Sequence, residues 1–266
     1  MQDKNYPIGV FDSGLGGLTV VKELMRQLPH EDIVYYGDTA RVPYGTKSKE
    51  SIIRFSEENT NVLLNHKVKM IVVACNSCSS YALTMLREKF NVPIVGVINP
   101  GAKKAAEAAK NKRVGIIATS ATINSQAYTQ TIKQYNPSIK VFEQACPLFV
   151  PIVEEGWANK KVAEDIAREY LKDLKKAKID ALILGCTHYP LLKNTLQKVM
   201  GPKVTLIDSA KEIATEVKEI LKNLGKENTS KTRGRYKFLI SDKPQQFKKL
   251  ATNFLGYDIS QRIQYV

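Results

Sequence analysis

The stretch IGVFDSGLGGLTVVKELMRQL, residues 8–28, runs from a short apolar segment through a glycine-rich turn into a helical pattern. The apolar segment 8–12 has the length and composition of a strand that is buried on both faces. The spacing of apolar residues beyond it predicts a helix over 17–28. A strand, a glycine-rich turn and a helix in this order are the building unit of folds with a parallel sheet.

The same alternation continues along the chain. Further apolar runs predict strands at 32–38, 70–76, 93–99, 113–119, 139–145, 181–187, 204–209 and 236–242. Amphipathic patterns predict helices that include 48–66, 79–90, 101–110, 159–177, 210–224 and 244–254. The polar segment 226–235 predicts an exposed loop. Apolar strands separated by helices indicate an α/β fold with buried parallel sheets and right-handed crossovers.

The pattern also repeats. The first strand of each half leads into a polar turn, DSGLGG (12–17) or ATSATINS (118–125), and the third ends in a cysteine motif, ACNSCSS (74–80) or GCTHYP (185–190). We therefore predict two pseudo-symmetric, doubly wound parallel-sheet domains, 1–97 plus 210–266 and 98–209. Ligands of such sheets bind beyond the carboxyl ends of the strands. We expect an active site between the domains, with Cys75 and Cys186 facing one ligand.

The first turn, DSGLGG, permits two interpretations. A dinucleotide-binding G-x-G-x-x-G motif fits Gly14 and Gly16, but Thr19 occupies the third glycine position. Alternatively, the turn and the helix N-terminus offer backbone N–H groups to a carboxylate. Asp12 would repel a phosphate but suits an ammonium group or a proton relay, so we favour the second interpretation.

The segment Cys75-Asn76-Ser77-Cys78 contains a C-x-x-C motif. A metal site needs about four ligands, and the sequence has no second C-x-x-C motif. A redox pair at a helix N-terminus fits locally but leaves Cys186 unexplained. We interpret Cys78 as a small residue that fills space on the first helical turn. Cys75 is then a thiol whose thiolate the helix N-terminus stabilises.

The second cysteine motif places His188 two residues after Cys186. A cysteine hydrolase would use this pair as nucleophile and base, but it would leave Cys75 without a function. A two-base racemase uses both cysteines: one removes the α-proton from one face, and the other delivers a proton to the opposite face. The equivalent positions of the two cysteines favour racemisation, with the hydrolase as the alternative.

The composition limits the classes of protein to which this chain can belong. The chain has 266 residues, of which 43% are hydrophobic, as in globular proteins. No apolar run approaches the roughly 20 residues of a membrane helix, and the first residues do not resemble a signal peptide. We expect a soluble, cytoplasmic protein whose four cysteines are thiols. The net charge of +14 raises the question of nucleic-acid or membrane binding, but basic helix faces that also carry acids account for it better.

Several long motifs resemble those of the bacterial glutamate racemases, within the aspartate/glutamate racemase superfamily. They are GVFDSGLGGLTV (9–20), YYGDTARVPYG (35–45), VVACNS (72–77), ACPLFVPIVEEG (145–156) and LGCTHYPLL (184–192). The resemblance implies a homodimer that interconverts L- and D-glutamate without pyridoxal phosphate or a metal ion. It also implies that the enzyme supplies D-glutamate for peptidoglycan synthesis, and thus for cell-wall biogenesis and cell shape.

The resemblance assigns roles position by position. Cys75 and Cys186 match the two catalytic bases, Asp12 and His188 match their assisting groups, and Glu154, in preference to Glu155, matches the family's glutamate. Cys186 would deprotonate L-glutamate and Cys75 would deprotonate D-glutamate. The implied substrate-binding residues are Asp12, Ser13, Tyr44, Gly45, Asn76, Ser77, Thr119, Thr122, Thr187 and His188. The family more often has threonine in place of Ser77, which keeps the hydroxyl, and usually lacks a cysteine at Cys78.

The sequence is also compatible with other functions. An aspartate or hydantoin racemase would share the cysteines, and one methylene group is worth only about 1–3 kcal/mol of discrimination. Arg41 is given no direct part, because a cationic clamp for a carboxylate would attract the thiolates as well. Some relatives act on DNA gyrase, but contact with gyrase or nucleic acid is not expected here.

Overall fold

Two parallel β-sheets organise the molecule. The computed structural model describes residues 4–242, 247–259 and 262–266. The first sheet contains β1 (Ile8–Asp12), β2 (Ile33–Gly37), β3 (Met70–Val73), β4 (Ile94–Gly96), β9 (Tyr236–Ile240) and β10 (Ile263–Tyr265). The second sheet contains β5 (Arg113–Ala118), β6 (Lys140–Ala145), β7 (Ala181–Gly185) and β8 (Thr205–Asp208).

Helices separate the strands throughout. They are α1 (Leu18–Gln27), α2 (Lys49–Leu64), α3 (Asn76–Tyr81), α4 (Leu83–Lys89), α5 (Ile98–Ala108), α6 (Ser120–Asn124), α7 (Ala127–Tyr135), α8 (Phe149–Glu154), α9 (Lys161–Lys176), α10 (Lys193–Met200), α11 (Ser209–Asn223) and α12 (Phe247–Leu255). Short 3₁₀ turns lie at Tyr44–Thr46 and Tyr189–Leu192. The predicted α/β class with parallel sheets is confirmed.

The strand order shows the internal repeat. The first sheet has the order β10-β9-β2-β1-β3-β4, and the second has the order β6-β5-β7-β8. The first four strands of each half therefore follow the same path, with the third strand beside the first. Strands β9 and β10 extend the first sheet at its β2 edge. The predicted domain boundaries near residues 97 and 209 stay a prediction.

Alternating side chains of each strand fill cores on both sides of its sheet. In β1, Val10 packs into the core beside α1, whereas Phe11 packs into the core beside α2 and α3. In the second sheet, the neighbouring residues Leu182 and Ile183 of β7 likewise pack into two different cores. This period of two explains why the strands read as continuous apolar runs, since both faces are covered by helices.

Several boundaries differ from the prediction. The predicted strand 93–99 ends at Gly96, because Pro100 needs no backbone N–H in the first turn of α5 and the helix already begins at Ile98. The predicted helix 79–90 is two helices, α3 and α4, which meet at Ala82. Part of the predicted helix 244–254 lies outside the described residues. The predicted elements do not include helices α6, α7, α8 and α10 or strand β10.

The basic surface contains many pairs with acids. On α9, Lys161, Lys172 and Lys176 each form an ion pair with an acidic residue three or four positions away. The lysines of this helix therefore belong to a solvated face that carries both signs of charge. In the described part of the chain, no helix has the length and apolar character required to cross a membrane.

The two halves approach each other closely at the carboxyl ends of their strands. A Cβ atom on Gly16 would lie 2.1 Å from Oγ1 of Thr187, and one on Gly45 would lie 2.7 Å from Cβ of Thr119. Thr19 donates a hydrogen bond from its hydroxyl to the carbonyl of Thr187 at 3.0 Å. Glycine at these positions lets loops of the first half reach the second, which brings both cysteine motifs to one place.

Candidate active site

A cavity of about 320 Å³ lies where the carboxyl ends of the two sheets meet. Small-molecule sites of open α/β folds occupy this position. The predicted site residues that line the cavity are Ser13, Tyr44, Gly45, Cys75, Asn76, Ser77, Thr119, Glu154, Cys186, Thr187 and His188. Asp12 and Thr122 are buried behind the wall, 0% and 2% exposed. The lining contains no Lys or Arg within the described ranges.

Cys75 occupies the junction between β3 and α3. It is the N-cap residue of α3 and is 6% exposed. Its sulfur lies 3.6 Å from the Ser13 hydroxyl, within hydrogen-bond range for sulfur. The neighbouring Cys78 and Ser13 lower the pKa of the Cys75 thiol, although burial and the nearby Asp12 oppose this effect.

Asp12 ends β1 beneath the cavity. Its Oδ2 accepts a hydrogen bond from the Gly14 backbone N–H at 3.0 Å, whereas Oδ1 has no hydrogen-bond partner among the described residues. Burial raises the pKa of this carboxyl, and His188 together with the N–H groups of the turn opposes that rise. A fully buried carboxyl oxygen without a partner is costly, so it points to a ligand that donates to it.

Cys186 follows β7, and the side chains of His188 and Glu154 form a series of contacts that begins at its sulfur. Its sulfur lies 3.9 Å from Nδ1 of His188, and Nε2 of His188 lies 2.9 Å from Oε1 of Glu154. Burial alone would lower the pKa of His188, but the contacts with Cys186 and Glu154 raise it to about 10. The imidazole is therefore held as a cation at neutral pH. Glu154 makes this contact, and the neighbouring Glu155 has no such contact in the structure.

Three hydroxyl groups from the two halves meet at one end of the site. The Ser77 hydroxyl lies 3.1 Å from that of Thr119 and 3.3 Å from that of Thr122, and the two threonine hydroxyls are 3.1 Å apart. Hydroxyl groups donate or accept as required. This cluster can therefore turn several neutral donors toward a carboxylate without placing a cation near the thiols.

Asn76 is oriented by a residue of the other half. Tyr128, which is 1% exposed, donates its hydroxyl hydrogen bond to Oδ1 of Asn76 at 2.8 Å. Nδ2 of Asn76 is buried and has no partner within the part of the chain that is described. The tyrosine thus fixes the amide so that its N–H donors remain available to a ligand.

Tyr44 and Arg41 belong to a network at the rim. The hydroxyl of Tyr44 donates to Oδ2 of Asp38 and accepts from Asn59 at 3.3 Å. Arg41 pairs with Asp38 and with Glu58, so its guanidinium is already engaged and does not line the cavity. The Tyr44 hydroxyl is occupied by these partners, and the network fixes the segment 42–46 that forms one wall.

Sequence reasoning missed some of these residues. Tyr128 and Asp38 support the site through their hydrogen bonds with Asn76 and Tyr44, respectively. Only the three-dimensional structure shows that these two residues lie next to the site. Asp38 lies inside the quoted motif YYGDTARVPYG, so the motif could have drawn attention to it. The roles predicted for the site residues stay predictions. No three His, Cys, Asp or Glu side chains of the described segments are grouped to hold a metal ion.

Known proteins are similar to this chain in sequence and in architecture. Residues 8–217 match the family model described as Asp/Glu/Hydantoin racemase. The glutamate racemase of Geobacter metallireducens is 49% identical over 249 residues, which cover 94% of this chain and 92% of that protein.

Two solved structures match over nearly the whole chain. The glutamate racemase of Francisella tularensis in complex with D-glutamate has a TM-score of 0.92 at 41% identity, covering 99% of this chain and 98% of that one. The glutamate racemase of Thermus thermophilus in complex with β-chloro-D-alanine has a TM-score of 0.90 at 45% identity, with coverage of 99% and 98%. This chain therefore belongs to the Asp/Glu/Hydantoin racemase family, among the glutamate racemases.

Proposed function

We propose that this protein interconverts L- and D-glutamate by moving the α-proton between Cys75 and Cys186, without a cofactor. The observation that carries the proposal is the presence of two thiols, one from each repeated half, in the wall of one cavity. A substrate held between them would present one face of its α-carbon to each sulfur. The names of the similar proteins favour glutamate as that substrate.

In the proposed reaction, one cysteine is a thiolate and the other is a thiol. The thiolate takes the α-proton and becomes a thiol, and the second thiol gives its proton to the opposite face of the carbanion. The C–H bond that breaks is replaced by a new C–H bond, so no oxidant or reductant is required. The two sulfurs exchange protonation states in each turnover, which requires proton-handling groups near both.

Each sulfur has such a group nearby. The cationic His188, in contact with Glu154, lies beside the Cys186 sulfur and is placed to exchange a proton with it. Asp12 is buried close enough to interact electrostatically with both Cys75 and His188. Its unpartnered Oδ1 suits the ammonium group of the substrate, whose positive charge next to the α-carbon would help to stabilise the developing carbanion.

The carboxylates of the substrate are assigned to neutral donors. The hydroxyl cluster of Ser77, Thr119 and Thr122 and the free amide N–H groups of Asn76 provide them. We propose that Ser13, Thr187 and the backbone of Tyr44 and Gly45 complete the binding site. Such donors hold a carboxylate while leaving the thiols free of a competing cation.

The alternatives predict different behaviour. A cysteine hydrolase would leave Cys75 without a reason to line the same cavity as Cys186. An aspartate or hydantoin racemase differs in substrate and not in the arrangement of the thiols. We also propose that the protein is a cytoplasmic homodimer that supplies D-glutamate for peptidoglycan. Contact with gyrase or nucleic acid is not part of the proposal.

Circular dichroism of substrate solutions tests the proposal. L-glutamate and, separately, L-aspartate are incubated with protein that has been exhaustively treated with a chelator. We expect the signal of L-glutamate to decay to zero and that of L-aspartate to persist. The Cys75→Ala/Cys186→Ala double variant is the control and leaves both signals unchanged. Decay of L-aspartate alone, or activity that returns only with added metal, would contradict the proposal.

A further inference from the structure

The last part of the chain lies outside the internal repeat. Strand β9, helix α12 and strand β10 follow the repeated elements, and both strands join the first sheet beyond β2. Within the described residues, no strand extends the second sheet beyond β6 in this way. Helix α12 packs against α1, and the Tyr257 hydroxyl that follows it donates a hydrogen bond to the sulfur of Met25 at 3.4 Å. The C-terminal segment is therefore anchored on the first half of the molecule.

One side chain of this segment reaches the second half. Phe254 lies in the last turn of α12 and is 2% exposed. The centroid of its ring lies 5.4 Å from that of the His188 imidazole, and the two ring planes meet at 89°. Phe254 does not line the cavity. It therefore contacts the charged group beside Cys186 without being placed to contact a substrate.

The hydrogen bonds of His188 leave the plane of its ring poorly fixed. Nε2 has a firm partner in Oε1 of Glu154 at 2.9 Å, whereas Nδ1 lies 3.9 Å from the sulfur of Cys186, near the limit for a hydrogen bond to sulfur. The side-chain torsion that turns a histidine ring has broad energy minima. One short hydrogen bond therefore holds one end of the imidazole and allows the other end to move away from Cys186.

Packing from the first half supplies the missing restraint. Two aromatic rings at right angles form a preferred pair, which opposes rotation of either ring. Gly16 approaches the same imidazole, since a Cβ atom built on it would lie 2.5 Å from Nδ1 of His188. The charged groups that interact with His188 are Cys186, Glu154 and Asp12. Phe254 adds an apolar wall to this set and no charge.

We propose that Phe254 is a positioning residue, whose ring holds the imidazole of His188 where it contacts both Cys186 and Glu154 and shields it from water. Phe254 then affects proton transfer at Cys186, the sulfur next to His188, and not at Cys75 in the other half. The consequence for catalysis rests on the proposed racemase function, whereas the restraint on the imidazole does not.

Variants with a single cysteine separate the two sides of the site. In Cys75→Ala, elimination from a glutamate analogue with a β-leaving group depends on Cys186 alone, and in Cys186→Ala it depends on Cys75 alone. Phe254→Leu keeps an apolar side chain but removes the ring. We expect it to lower kcat about fivefold in the Cys75→Ala background, the effect of losing one aromatic pair. KM in both backgrounds, and kcat in the Cys186→Ala background, should stay unchanged.

Two control variants distinguish the ring contact from general loosening of α12. Leu255→Ala removes a neighbouring side chain that is 3% exposed and belongs to the same core. It costs more packing than Phe254→Leu but should leave kcat unchanged, whereas Phe254→Tyr keeps the ring and should behave like Phe254. Far-ultraviolet circular dichroism checks that each variant is folded. Equal losses in both backgrounds, a Leu255→Ala variant as slow as Phe254→Leu, or a Phe254→Tyr variant as slow as Phe254→Leu would overturn the proposal.

The hydrogen bond from Nε2 of His188 to Glu154 provides a measurement that needs no activity. In protein labelled with ¹⁵N-histidine, the Nε2–H signal of His188 is assigned by its loss in His188→Asn. We expect Phe254→Leu to speed the exchange of this proton with water about fivefold, because a ring that can turn opens its hydrogen bond more often. Unchanged exchange would overturn the proposal. If exchange responds as expected while the wild type neither racemises glutamate nor eliminates from the analogue, the racemase proposal fails and the inference about Phe254 stands.

Discussion

The half that carries Cys75 and the half that carries Cys186 share a strand order but surround their thiols differently. The neutral hydroxyl of Ser13 lies 3.6 Å from the sulfur of Cys75. A charged chain of His188 and Glu154 lies beside Cys186. The repeated fold therefore sets the positions of the thiols, whereas side chains that differ between the two halves set the surroundings of each thiol. In each turnover one of the two bases must be a thiolate while the other is a thiol, so each needs proton-handling groups of its own.

Replacement of His188 should cause the largest loss of activity, and the loss should concern the half that carries Cys186. His188→Asn removes the cation beside Cys186, and we expect racemisation to fall by about 100-fold, in the range for a lost proton-transfer group. Elimination from a β-leaving-group analogue should fall for the enantiomer that Cys186 deprotonates and stay near wild type for the other. His66→Asn, far from the site, is the control. An equal fall for both enantiomers would show that His188 does not belong to the Cys186 side.

Glu154→Gln should have an intermediate effect that is visible in the pH profile. His188 has a pKa raised to about 10, so its charge is present at neutral pH and is lost as the pH rises through that value. Removing the carboxylate lowers this pKa, and the alkaline limb of kcat/KM should move to lower pH. We expect a shift of about one unit, which corresponds to a rate loss of about twofold at pH 9 that grows to nearly tenfold at about pH 11.

The neighbouring residue provides the matched control for this variant. Glu155→Gln removes the same charge one position along the chain, and its alkaline limb should coincide with that of the wild type. A Glu155→Gln profile that shifts as far as that of Glu154→Gln would mean that general surface charge, and not the contact with His188, raises the pKa.

Tyr128→Phe should have the smallest effect, and it tests a contact that joins the two halves. Without the tyrosine hydroxyl, Asn76 loses its orienting donor. We expect KM to rise about fivefold with little change in kcat, as the loss of one buried hydrogen bond of about 1 kcal/mol predicts. Tyr135→Phe removes an exposed Tyr–Asn hydrogen bond of the same kind and should leave KM unchanged. A change in kcat alone would indicate a different function for Tyr128.

The sequence carries much of this architecture in its periodicity. Apolar runs such as IGVFD and ALILG mark strands because both faces of each sheet are buried, and the repeat of two cysteine motifs indicates two equivalent halves. Boundaries at Ile98 and Ala82 were harder to predict, because proline in a first helical turn and a break between two short helices leave the apolar pattern unchanged.

The site was predictable only in part. Residues within the motifs, such as Cys75 and His188, stand out because reactive side chains follow strand ends. The contact of Tyr128 with Asn76 depends on which groups the fold brings together across 52 residues. Such a pairing leaves no periodic signal.

The central claim is that Cys75 and Cys186 act on opposite faces of one substrate carbon. The most direct test uses the two α-enantiomers of 3-chloroglutamate, from which removal of the α-proton expels chloride and makes reprotonation unnecessary. Chloride release is measured for Cys75→Ala and Cys186→Ala. Each variant should fail to racemise glutamate yet release chloride from one enantiomer only, Cys75→Ala from the L form and Cys186→Ala from the D form. Racemisation by Cys75→Ala near the wild-type rate, or the same enantiomeric preference in both variants, would contradict the two-cysteine account.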